Sequence, residues 1–87
     1  MAVIDIVDCT VTVVATPSGA NVTTILTPAT ADDGDTVDLS TVNSVIYSCS
    51  VLGATDGLLT AAVDAAGVVT LPGATDNEAR SIFILGK

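Results

Sequence analysis

The chain has 87 residues, 49% of them apolar and 14% charged, with ten acids against two bases and a formal net charge of −8. There is no His or Trp and only one each of Lys, Arg, Tyr and Phe, so most residue types that carry acid–base and nucleophilic chemistry are missing or scarce. Arg80 and Lys87 alone cannot neutralise a run of phosphates, which excludes duplex binding and disfavours anionic membranes.

A chain of this length forms one domain, residues 1–87, and its core must come from Val, Ala, Ile and Leu. The N-terminal Met1-Ala2-Val3-Ile4-Asp5 lacks a basic region before its apolar residues, so no secretion signal is expected and synthesis in a cytoplasm is. Ile4 and Ile6 flank Asp5. From Val7 the phase reverses: Val7, Cys9, Val11, Val13 and Ala15 alternate with Asp8, Thr10 and Thr12, predicting a long half-buried strand. Positions 9–31 carry no charge, yet Pro17, Gly19, Asn21, Pro28 and many Thr argue against a membrane span.

Thr16-Pro17-Ser18-Gly19 predicts a turn, and Asn21 to Thr27 a second strand ended by Pro28. Asn21-Val22-Thr23 has the form of a glycosylation sequon, read as chance without a signal. Residues 28–35 form the least regular stretch. Within and after it, Asp32, Asp33, Asp35 and Asp38 are candidate calcium ligands. The glycine at 34 comes too early for an EF-hand and no bidentate Glu follows, so the favoured reading is a β-turn with solvated charges. No metal or other cofactor is expected.

Thr36 to Leu39 predicts a short strand and Val42 to Leu52 a longer one, with Val45, Tyr47, Cys49 and Val51 inward. Cys9 and Cys49 thus both fall on apolar parity and are expected buried and reduced, their pairing left open. Leu58 to Asp64 and Val68 to Leu71 form a hairpin through Ala65-Ala66-Gly67. A polar loop over 75–79 precedes the last strand, Ser81 to Leu85. The sum is an all-β domain, a small antiparallel sandwich or barrel of about seven short strands.

In the last strand Ile82, Phe83, Ile84 and Leu85 are apolar on both faces. Either it lies at the centre of two layers or one face meets a neighbouring subunit. Ile4, Ile6, Ile82, Phe83, Ile84 and Leu85 are therefore the candidate interface, and a homo-oligomer is expected, trimeric by preference.

Asp33-Gly34-Asp35-Thr36-Val37 leading into a strand, Gly67-Val68-Val69-Thr70-Leu71-Pro72, and an apolar final strand ending Gly86-Lys87 carry a family resemblance. The chain resembles the small acidic all-β virion proteins of tailed phages and related viruses, of the capsid decoration or cement type. The resemblance implies a non-catalytic virion protein, often trimeric, that sits on the outside of a shell and stabilises it by binding capsid protein. A β-sandwich binding module of a surface protein, taking protein or carbohydrate, is the second reading. An enzyme comes third.

Overall fold

The computed structural model describes residues 2–73 and 75–87. Nine strands form two layers: β1 (Val3–Ile4), β2 (Thr10–Ala15), β3 (Asn21–Leu26), β4 (Thr36–Asp38), β5 (Ile46–Gly53), β6 (Gly57–Thr60), β7 (Ala62–Val63), β8 (Val68–Thr70) and β9 (Arg80–Gly86). One 3₁₀ turn, Ile6–Asp8, joins β1 to β2. The smaller sheet has the order β1-β4-β8-β7, the larger β2-β3-β9-β5-β6. All pairs are antiparallel except the short β1–β4 pair. The fold is an all-β sandwich.

Nine exceeds the seven expected because Val3–Ile4 forms the additional β1 and one expected strand is divided in two. Ala61 lies between β6, in the large sheet, and β7, in the small one, so the predicted strand over 58–64 changes layer midway. Buried Ala61 donates its N–H to the Cys49 carbonyl at 3.2 Å as the chain crosses. The β7–β8 hairpin closes through Gly67 at φ +83°, where any Cβ would be strained.

The core lies between the layers. Ile25, Cys49, Val51, Ile82 and Ile84 of the large sheet face Val37 and Val69 of the small one, with Ala31, Leu39, Ala61 and Leu71 closing the ends. Strand β9 is third of five, and one of its two apolar faces is enclosed. Ile82 and Ile84 fill the core, and Phe83 and Leu85 point out of it.

Six inward assignments are corrected: Val7, Val11, Val13, Ala15, Val45 and Tyr47. The residues of β2 are exposed on both faces, and Val7 is exposed in the 3₁₀ turn. The small sheet has four strands, and β2 extends past its cover. In β5 the register against β9 shifts between Ile46 and Ser48. That bulge turns Tyr47 outward and puts Ile46 against the core, reversing the expected parity, and Val45 is exposed too. The 28–35 stretch is also less solvated than expected, because Ala31 and Asp35 are buried.

Candidate docking face

The strands of the large sheet carry one charged residue, Arg80, and it is buried. Pairing registers lay out the sheet's outer side in three rows. Val14, Val22, Leu85 and Ser48 form the first; Thr12, Thr24, Phe83, Ser50 and Thr60 the second; Thr10, Leu26, Ser81, Leu52 and Leu58 the third. Every large apolar side chain in these rows is exposed, from Phe83 at 38% to Leu58 at 64%. The surface is thus an uncharged mosaic of Val, Leu and Phe among hydroxyls, on a molecule of net charge −8. Patches of this kind on small proteins mark interaction sites more often than chance.

The acids stand elsewhere, and six gather at one end of the sandwich. Asn77 donates its N–H to Asp32 Oδ1, Asp33 its N–H to Asp76 Oδ1, and Thr75 its N–H to Asp56 Oδ2. Asp35 accepts from the backbone N–H of Ala2 at 2.8 Å and of Asp32 at 2.9 Å. Those bonds, that of Asp32 above all, hold its carboxyl below the usual carboxylate range although burial opposes them. The Thr55 hydroxyl and N–H do the same for Glu78.

Arg80 organises this end. Its guanidinium donates to the carbonyls of Glu78 and Thr75 and lies 3.9 Å from Asp56 Oδ2. Its backbone N–H donates to Thr27 Oγ1, buried with it. Gly53 is opposite in register, and a Cβ there would stand 3.2 Å from Arg80 Cδ and Nε. A glycine is what lets the long side chain pass over β5.

The candidate calcium ligands do not converge. Asp32, Asp35 and Asp38 each hold a backbone N–H, that of Ser40 in the case of Asp38, and face different segments. Among the described residues no group of three or more acids, Cys or His is placed to share an ion. Of the candidate interface residues, Phe83 and Leu85 lie on the outer face. Ile82 and Ile84 are enclosed in the core and cannot reach a neighbour, a correction that follows from β9 being central. Ile4 and Ile6 are half-buried against the core's edge. Val14, Val22, Leu26, Leu52 and Leu58 were not expected to join them; the signal they left is the lack of charge in the four strands that carry them.

Both thiols are free. Cys49 is buried, and burial pushes it up to about 11. Cys9 is only half-buried, a correction to the expected enclosure, and is raised by partial burial and by the charges of Asp8 and Asp5. Asn21 lies within β3, its backbone paired on both sides.

The described residues also line two surface cavities. One of about 360 Å³ is lined by Ser40, Asn43, Ser44 and the 63–67 turn, the other of about 340 Å³ by Val3, Ile4, Asp5, Ile6, Asp38 and Thr41. Their acids are Asp64 in the first and Asp5 and Asp38 in the second. Asp64 Oδ1 is taken by the N–H groups of Ala66 and Val68, and one oxygen each of Asp5 and Asp38 by the N–H groups of Val7 and Ser40. No protein-family model, curated protein or solved structure matches the chain.

Proposed function

We propose that this chain is a non-catalytic structural protein of a virus particle, a capsid decoration protein that docks on the assembled shell through the outer face of its large sheet. The observation that carries this reading is the charge-free apolar mosaic around Phe83 and Leu85 on a strongly acidic molecule. Docking such a face desolvates no ion, so apolar burial is not offset by the cost of stripping charges. The exposed acids, all off this face, remain in water and keep the free protein and the decorated particle soluble. Copies that bind the assembly and not its separated subunits stabilise the assembled state by mass action. The scarcity of catalytic residue types and the resemblance to decoration proteins support the same reading.

The test mixes purified protein with capsids of the cognate virus and measures co-sedimentation and the temperature of particle rupture. Wild type is expected to sediment with the capsids and raise that temperature. Phe83→Asp and Leu85→Asp are expected to lose both effects while keeping the wild-type melting temperature of the free protein. Wild type that neither sediments nor stabilises overturns the virion reading. The surface-protein binding module would then be tested against immobilised glycans and proteins.

A further inference from the structure

We infer that β2 is a homodimerisation edge: two copies join their large sheets through antiparallel β2–β2 pairing about a two-fold axis at Val13. Strand β2 pairs with β3 over its whole length, Thr10↔Leu26 to Ala15↔Asn21, and nothing among the described residues covers its other side. What it presents is therefore a row of backbone N–H and C=O groups, and such a row is matched by an extended strand. The other edges differ. β1 and β7 are two residues each, and β6 is four residues beginning at Gly57.

The usual protections of an exposed edge are absent from β2. Thr-Val-Thr-Val-Val-Ala contains no charge, no proline and no bulge. Its inward side also lacks a second layer: Val11 and Val13, on the core side of the sheet, are 37% and 49% exposed. An occupant must supply backbone partners and apolar side chains together.

A second copy of β2 supplies both. With Val13 opposite Val13, Val11 meets Ala15 on the inward side and Thr12 meets Val14 on the outward side. These are apolar or β-branched pairs at a Cβ separation of about 4.5–5.5 Å. The register also spares the charges: Asp8, the acid nearest the strand, falls beside Ser18 of the second copy, in a turn without charge. Two chains of −8 can thus meet without setting acid against acid along the strand. The two-fold closes on itself and consumes the bare edge, so it makes a dimer and not a fibre. It replaces the three-fold assembly expected from the last strand.

The axis stands perpendicular to the sheet, so both outer faces look the same way. A dimer would therefore dock twice on a repeating surface, at high effective concentration for the second contact. The pairing itself rests on the edge alone and does not depend on the docking proposal.

Analytical ultracentrifugation without capsids tests it. At about 100 μM, where an interface of micromolar affinity is filled, wild type is expected to run at twice the 8.6 kDa chain mass. Val13→Lys and Val13→Asp each place like charges on the axis and are expected to weaken dimerisation by about a hundredfold or more. An equimolar mixture of the two variants is expected to regain the dimer, which also shows that both are folded. Wild type that stays monomeric overturns the inference. So does either variant remaining dimeric alone, or a dimeric wild type whose two variants fail to recombine.

Discussion

The Asp35 carboxylate accepts the Ala2 N–H across 33 residues of sequence, at 2.8 Å. The same carboxylate holds the Asp32 N–H, and the Asp35 carbonyl accepts from Leu71. One buried residue thus ties the N-terminal segment and the acidic loop through its side chain, and the segment just past β8 through its carbonyl.

That tie makes stability acid-sensitive. Asp35 is lowered in the folded state, so the native protein binds fewer protons than the unfolded chain as pH falls through the carboxylate range. The contribution is full above the unfolded value of about 3.9 and is lost as pH drops through the lower folded value. Asp35→Asn is expected to cost about 1–3 kcal/mol at pH 7 and to flatten the acid limb. Urea melts from pH 2.5 to 7 check both.

Arg80→Ala should be among the most damaging substitutions, at about 3–5 kcal/mol. It leaves the half-buried carbonyls of Thr75 and Glu78 without their donor and removes the cation beside Asp56. Arg80→Lys should recover little, because an ammonium cannot span the same acceptors. Chemical denaturation of the two variants against wild type decides the matter.

Gly53→Ala should cost about 1–3 kcal/mol through overpacking against Glu78 Oε1 at 3.1 Å and Arg80 Cδ and Nε at 3.2 Å. In the Arg80→Ala background the part of that cost owed to Arg80 should disappear, so a double-mutant cycle reports the coupling.

Thiol labelling should separate the cysteines. Cys9 is expected to react in the native protein, more slowly than a free thiol, whereas Cys49 should wait for denaturant. Equal native rates at both would contradict the burial found.

Fold class was legible because period-two alternation runs through β2, β5 and the β6–β7 stretch between short turns, and Ile82 and Ile84 fill a core as one of the two readings of β9 required. Parity misled at Tyr47, since a bulge inverts inside and outside without changing composition. It misled again at Val11 and Val13, because alternation identifies the face turned toward the core but not whether a second layer extends over it. Asp35 was hidden for a related reason. A carboxylate in a Gly-containing loop reads as solvated until the two N–H groups that replace its water are placed around it. The exposed apolar face was half legible: Phe83 and Leu85 belong to one strand, but their neighbours Val22, Leu52 and Leu58 are joined to them only by long-range register.

The position of β9 has a consequence for how the chain acquires its shape. It follows every strand of its sheet in sequence and yet inserts between β3 and β5, pairing Asn21 with Gly86. Until it arrives, the β2–β3 and β5–β6 hairpins are separate ribbons, each with an open side. Pairings this distant in sequence carry a large loop-closure cost and place small β proteins in the millisecond-to-second range of folding times. During synthesis the ribbons must remain unjoined until β9 has left the ribosome. The apolar segments that later form one sheet are then most open to wrong partners, and the net charge of −8 opposes contact between neighbouring nascent chains.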